Sequence, residues 1–483
     1  MLLSLPNEVL LVVFSHLQDP YPLYHLSNLC RRLHFLALPI YFSRTGICQL
    51  DSDGSCSISI PAEKVDDALP ALQSSLFLDT VQNLSCNFPD SYARLKDLRR
   101  FRHLCSKLSS IESTDLQFTP PAYDDRYPSM LVGYYGYVTQ TLNAVLERSC
   151  ISLTVDDPSD LNSAFVRISK RTRANPGVTM AGSSTSSNSL SPAAYRQQTL
   201  TTFRLHSEIL FSPHCSAWTI DVLNSFPLTS LSINVPTVPT DALDSLFRVT
   251  EIPTLRDLTI LKCRIKPSRM HQFLSRHPSI TRLHLGSGNV VPSLEERLPP
   301  NHLPQLQDLV ASASQVAYLF SAMETTAALR TLRVTTYMTD LDLRFTDSSL
   351  RTVASRLAPL ALSLSLPVPP KLPRFGAPDL SAYRLDLRED SALKLVSTLE
   401  FVLAEENIAF LKLTDYALLT KWCDPFPGLR TVVISGFNDD YNMSFILKAF
   451  AAHPLWVETL VVNGVAHDLT GMRTVTPVAP GGA

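Results

Sequence analysis

The sequence has no charge excess of either sign: 42 lysines and arginines stand against 44 aspartates and glutamates in 483 residues. Nucleic-acid binders usually carry a clear basic surplus, so no nucleic-acid partner is expected. Long apolar runs are also missing. No stretch reaches the roughly 20 apolar residues that a membrane span needs, so no membrane association is expected. The apolar start, Met1 to Pro6, has no basic residue ahead of it, is followed at once by Glu8, and leads to no small-residue cleavage site, unlike a signal peptide. Glycine is scarce, at 15 residues. No GxGxxG turn, GxxxxGK[ST] loop, GxSxG elbow or HExxH helix occurs, which removes the usual phosphate-cradling, nucleophilic and zinc-hydrolase motifs. The nine cysteines are odd in number, scattered, and include no CxxC pair. Neither a disulfide framework nor a metal site is expected, and buried thiols in a reducing compartment, cytoplasmic and/or nuclear, fit best.

The remaining candidates for chemistry are weak. His271, His277 and His284 are spaced too widely for one metal pattern and read as structural or surface residues. The adjacent carboxylates Asp156–Asp157, Asp439–Asp440 and Glu405–Glu406 read as solvated loop or helix-end residues, where a shared acid–base role is improbable. Glu389 and Asp390, just before Ser391, read as a helix N-terminus, where free amides favour carboxylates. The basic run Arg94 to Arg102 reads as an ordinary solvated helix face. No catalytic residue, cofactor or metal is expected, and the chain does not read as an enzyme.

What is present is organised. Leu5 to Leu17 reads as a helix, with Pro6 suited to its first turn and Asn7 or Glu8 placed to face the unpaired amides there. Its apolar residues at 9, 10, 13, 14 and 17 form a stripe, and Leu11 and Val12 widen that stripe beyond one face. A helix this apolar must be covered on more than one side. Asp19-Pro20-Tyr21-Pro22 breaks it. A second helix is expected from about Leu23, carrying Leu23, Leu26, Leu29, Cys30 and Leu33, and Ala37 to Phe42 closes the unit.

The run LPNEVLLVVFSHLQDPYPLYHLSNLCRRLHFLALPIYF resembles an F-box. It has the Leu-Pro-x-Glu start at Leu5, Pro6 and Glu8, and an apolar helix ending at Leu17. The Asp19–Pro20 turn, the Leu23-x-x-Leu26 spacing and the Cys30–Arg31 pair follow. Leu29 and Leu33 stand where the family more often has Val and Trp. The resemblance implies a compact three-helix module that docks on a Skp-family adaptor and, through it, on a cullin scaffold. It implies an adaptor-binding set of Leu5, Pro6, Glu8, Val9, Leu10, Val13, Leu17, Leu23, Leu26 and Cys30.

Further along, the pattern apolar-x-x-apolar-x-apolar recurs. It starts at Leu200, Leu228, Leu255, Ile280, Leu306, Leu329, Leu357, Ala382, Ile408, Leu429 and Val457, in steps of 21 to 28 residues. Weaker copies lie at Val81–Cys86 and Cys150–Val155. A period in the middle twenties with this core is the leucine-rich-repeat signature. Helix-like stretches lie between copies, at 241–247, 270–274, 349–357 and 443–450. The residues from 174 to 199 are polar and serine-rich and read as a disordered loop.

The expected fold class is α/β. Residues 1–45 form the F-box-like domain, 46–75 a connecting segment, 76–470 a curved, irregular leucine-rich-repeat-like solenoid, and 471–483 a disordered tail. Strands line one face of the solenoid and helices the other. The expected function is that of a substrate-recognition adaptor of an SCF-type cullin–RING ubiquitin ligase, similar to fungal F-box proteins with degenerate repeats, whose solenoid holds an unknown protein target. The alternative is a leucine-rich-repeat protein-interaction scaffold with no role in ubiquitin transfer.

Overall fold

The computed structural model describes residues 4–50, 56–88, 95–119, 128–157, 199–286, 303–322, 328–336, 340–357, 362–368, 390–403, 419–420, 423, 426–436, 443–452 and 457–470. Two compact units divide the chain, Met1–Leu255 and Arg256–Ala483.

The first unit opens with three helices: α1 (Asn7–His16), α2 (Tyr21–Ser27) and α3 (Arg31–Thr45). The expected single helix after Leu23 is in fact two. Ser27 Oγ and Asn28 Nδ2 turn back to the Tyr24 carbonyl, at 2.7 and 3.0 Å. Cys30 is fully extended (φ −159°, ψ 163°), which no helix interior allows. Leu29, read as part of the buried stripe, is therefore 70% exposed at the break. Gly46 ends α3 in the left-handed region (φ 67°), a conformation that costs a residue with a Cβ.

Strand pairing begins at once. β1 (Cys48–Leu50) runs antiparallel to β2 (Cys56–Ile60), upstream of residue 76, and α4 (Val65–Ser74) follows within the expected connecting segment. The strands β3 (Thr80–Phe88), β4 (Ser110–Phe118), β5 (Ser152–Asp156), β6 (Thr202–His206) and β7 (Ser230–Asn234) then add in chain order. Each is parallel to its predecessor. Helices α5 (Leu95–Lys107) and α6 (Pro128–Leu146) connect β3 to β4 and β4 to β5.

The reason lies in the strand sequences. In β5, β6 and β7 alternate residues are buried: Leu153 and Val155, Phe203 and Leu205, Leu231 and Ile233. The register sets Leu153 beside Phe203 and Phe203 beside Leu231, so the buried side chains form rows across the strands. One polar residue interrupts a row: Thr114 is buried beside Leu153, with the Cys150 Sγ 3.7 Å from its hydroxyl.

From Lys96 to Arg102 the basic run lies on α5, with Leu98, Phe101, Leu104 and Cys105 buried beneath it. Its cations are more engaged than a solvated face implies. The Arg99 guanidinium lies over the Tyr137 ring at 4.9 Å. Lys96 reaches Asp66 at 2.7 Å, and Arg102 donates to Gln140.

The second unit repeats the scheme. Strands β8 (Asp257–Leu261), β9 (Arg282–Leu285), β10 (Asp308–Ser312) and β11 (Thr331–Thr335) are parallel and in chain order. They continue through β12 (Leu362–Val368), β13 (Val396–Leu403), β14 (Thr431–Ser435) and β15 (Thr459–Val462). A final strand, β16 (Val465–Asp468), turns back antiparallel.

Most copies of the expected pattern become strands, each starting about two residues into the copy. The copy at Leu357–Leu362 does not. Leu357 closes a helical turn (Ala354–Leu357), and the strand starts where the copy ends, burying Leu362, Leu364 and Leu366. Dense leucine permits two frames, and the frame that continues the alternation prevails. The copies at Ala382 and Ile408 lie outside the described residues, as do most of 174–199 and all of 471–483. β13 was not anticipated, although Val396, Leu399 and Phe401 fit the same spacing and are all buried.

Burial on this scale makes each inward strand residue a support for its neighbours. Leu231→Ala is expected to destabilise the protein by about 2–5 kcal/mol, whereas Ser232→Ala, on the outward face of the same strand, should stay within ~0.5 kcal/mol. Urea melts of the two variants beside wild type check this, and equal effects would mean that the two faces are not distinguished as described.

Candidate functional site

The N-terminal helices sort their apolar residues into two sets. Leu10 and Phe14, one turn apart on α1, are completely buried, and α1 packs them against α3. Leu23 from α2 and Leu33, Ala37, Leu38 and Phe42 from α3 complete that core. The second set points to water. Val9, Val12 and Val13 form a stripe at spacings of three and four, with Val12 57% exposed, and Pro6 and Leu11 flank it, also exposed. Nothing among the described residues of the first unit removes this stripe from solvent.

Charged and polar side chains fix the module. The Arg32 guanidinium donates to Asn7 Oδ1 at 2.9 Å and to the Leu5 carbonyl, so residues ahead of α1 are tied to α3. Asn7 is thus spent on Arg32 and the N-cap, Pro6, has no side-chain cap bond, while Glu8 lies in the first turn of α1 as expected. The far side of α3 is covered by the chain that follows. The His34 ring lies edge-on to Phe77, and its Nε2 accepts the Leu76 amide at 3.1 Å.

The expected adaptor-binding residues therefore divide. Pro6, Glu8, Val9 and Val13 are exposed, and Leu5, Leu17, Leu26 and Cys30 are half-buried. Leu10 and Leu23 are fully buried, because they fill the space between the three helices. They can influence docking only through the fold. Leu11 and Val12, noted in the sequence only as widening the apolar face, are as accessible as Val9.

The other candidate chemistry resolves into structure. His277 is fully buried, with Nδ1 2.7 Å from the Phe273 carbonyl and its ring against Phe273. His284 is half-buried on β9, and burial, helped by Arg333, holds its pKa below the usual histidine value. Asp157 is a correction: it is half-buried and its carboxylate is engaged. Its carboxylate accepts the Ser207 hydroxyl and, at 2.9 Å, the Glu208 amide, at the N-terminus of the 3-10 helix Glu208–Phe211. Burial pushes its pKa up to about 6, and burial with the neighbouring Asp157 charge pushes Glu208 up to about 7.

The same device recurs in the second unit. Ser391 starts a helical turn as expected, but the carboxylate serving it is the buried Asp347, which accepts Ser391 Oγ and the Ala392 amide, both at 2.9 Å. Asp390 instead faces Arg351 at 3.6 Å. Asp439–Asp440, Glu405–Glu406 and Glu389 lie outside the described residues. Both aspartates thus anchor a 3-10 turn beside a strand, after β6 in one case and before β13 in the other. Among the described residues, no group of three or more His, Cys, Asp or Glu is placed to hold a metal ion.

A family model described as F-box-like matches residues 2–45, the span of α1 to α3. The chain carries an F-box-like domain. F-box domains as a class bind Skp-family adaptors, and the exposed apolar stripe belongs to this one. No curated protein matches the chain significantly. Among the described residues no helix is long and apolar enough to cross a membrane.

Two outcomes follow. Leu10→Ala is expected to destabilise the helical module by about 2–5 kcal/mol, while Val9→Ala should change stability by less than ~0.5 kcal/mol. Thermal melts followed by circular dichroism separate the two. The second concerns pH. Asp157 and Glu208 have folded-state pKa values above their unfolded ones, so the stability they confer is full in acid and is lost as pH rises through about 6 and 7. Asp157→Asn keeps an acceptor for Ser207 and should flatten the decline in melting temperature over that window, and an unchanged pH profile would contradict the assignment.

Proposed function

We propose that this protein is the substrate-recognition adaptor of an SCF-type cullin–RING ubiquitin ligase. The observation that carries the reading is the F-box-like domain at residues 2–45 with Pro6, Val9, Val12 and Val13 exposed on it. An apolar stripe at helical spacing is the geometry by which one helix face buries against a partner, with a few anchors carrying most of the energy. The partner is a Skp-family adaptor, and a cullin scaffold is recruited through it.

In this reading the strand-and-helix repeats form a leucine-rich-repeat-like solenoid that holds a protein target. The protein performs no bond chemistry. It raises the local concentration of target lysines near the ubiquitin-charged enzyme, a proximity effect. It works in the cytoplasm, the nucleus or both, without cofactor, nucleic acid or membrane.

One observation favours the second reading, a protein-interaction scaffold outside ubiquitin transfer. The outer side of α3 covers Phe77 and receives the Leu76 amide, as a cap on a repeat array would. Capping uses α3, however, and leaves the α1 stripe uncovered, so the two roles are compatible.

Val9→Asp/Val13→Asp puts two carboxylates on the stripe without touching Leu10 or Phe14. In a pull-down of the full-length chain with a purified Skp-family adaptor, the double variant should lose at least roughly 30-fold in affinity, the scale of an interface hot spot, and keep its melting temperature. Equal capture by both proteins would remove the stripe from the interface. Capture by neither, with both folded, would favour the scaffold.

A further inference from the structure

The nine cysteines are thiols, and eight are buried. Burial raises the pKa of Cys86, Cys105, Cys150 and Cys215, which makes them poor nucleophiles. Cys48 and Cys56 are as buried, and what sets them apart is that they face each other. They lie on the antiparallel pair β1–β2, where Cys48 stands opposite Ile58 and Leu50 opposite Cys56, so the two cysteines are diagonal neighbours on one face. Their sulfur atoms are 2.9 Å apart, within roughly 1 Å of a disulfide bond length. The thiols are hydrogen-bonded to one another, and that contact together with burial holds the Cys48 pKa above the ordinary value.

We propose that Cys48 and Cys56 are a reversible redox pair, oxidised to an intramolecular disulfide by a small-molecule disulfide of the glutathione class. The two sulfurs are already in contact, and bond formation needs their further approach together with an adjustment of this diagonal cross-strand pair. The exchange runs in two displacements. One cysteine loses its proton to solvent, and its thiolate attacks a sulfur of the small disulfide, releasing one small thiolate, which takes up a proton. The second cysteine, deprotonated in turn, attacks the protein sulfur of the mixed disulfide and expels the other small thiol. Two protein thiols are oxidised, and one small disulfide is reduced to two thiols.

The raised pKa keeps the thiolate fraction low at neutral pH, so the exchange is slow and favoured by alkaline pH. The bond would staple the hairpin that leads from α3, through Gly46, into the first parallel strand β2. This assignment does not depend on the adaptor reading, and either can fail alone.

The test uses full-length wild-type protein equilibrated under native conditions with graded ratios of oxidised to reduced glutathione. The samples are alkylated, cleaved without reduction by an Asp-specific protease that cuts at Asp51 and Asp53, and mapped. The expected product is a peptide pair joined through Cys48 and Cys56, about 2 Da lighter than the two thiol peptides together, rising with the oxidised fraction and abolished by dithiothreitol. In Cys48→Ser, Cys56 lacks its resolving partner and should accumulate as the glutathione mixed disulfide. The proposal is overturned if both cysteines stay alkylated at ratios that oxidise a reference dithiol. It is equally overturned if the wild type carries separate glutathiones on each cysteine, or if Cys56 joins other cysteines as readily as Cys48.

Discussion

A single short strand with alternating apolar residues cannot stand alone, and this constraint organises the protein. Each strand leaves one row of amide and carbonyl groups unpaired on either side and one set of apolar side chains uncovered. Pairing with the next strand in parallel, through an intervening helix or loop, satisfies both needs at once. Phe203 is covered because Leu153 and Leu231 lie beside it at the same level and the Trp218 ring meets it edge-on. The ends follow from the same need. β1 and β16 both run antiparallel to their neighbours as short strands, and β16 returns from β15 through the two-residue turn Asn463–Gly464.

The F-box-like helices obey a different rule. In the repeats nearly every large apolar side chain is consumed by the core. In α1, Val9, Leu11, Val12 and Val13 are not, although Leu10 and Phe14 between them are fully buried. A helix of ten residues has one face to give to a three-helix module, and this sequence is apolar on more than one. An uncovered stripe of this kind leaves apolar surface in water, and it is this surface that the proposed docking would bury.

Much of this was legible in the sequence, and the exceptions have physical causes. The spacing apolar-x-x-apolar-x-apolar located β7, β8 and β9 because the inward positions of a strand admit little besides large apolar residues. It failed at Leu357, where leucines in two frames competed, and it passed over Val396, Leu399 and Phe401, which fit the pattern but fall between the copies read at Ala382 and Ile408. The three-helix module was legible from ordered motifs, but the division of its apolar residues was not. Composition makes Val9 and Leu10 nearly equivalent, and only the docking of α1 on α3 decides which is inside. Asp157 and Asp347 were invisible for a related reason. Their partners Ser207 and Ser391 lie some 50 and 44 residues away in the chain.

Sequence period becomes lateral distance in such an array, and this governs the outward face of the strands as well. Residues one repeat apart stand side by side. The Arg282 guanidinium meets Asp257 with two hydrogen bonds across 25 residues, Asn83 donates to Ser57 across 26, and His206 contacts Ser232 across 26. In the second unit the row widens, and Arg333 on β11 reaches past β12 to Glu400 on β13 at 3.1 Å. A change at one outward position is therefore felt first by the residue one repeat away and only weakly by its own chain neighbours, which point into the core. The outward surface can vary row by row while the buried rows stay apolar, because the period-two alternation of each strand assigns the two tasks to different residues.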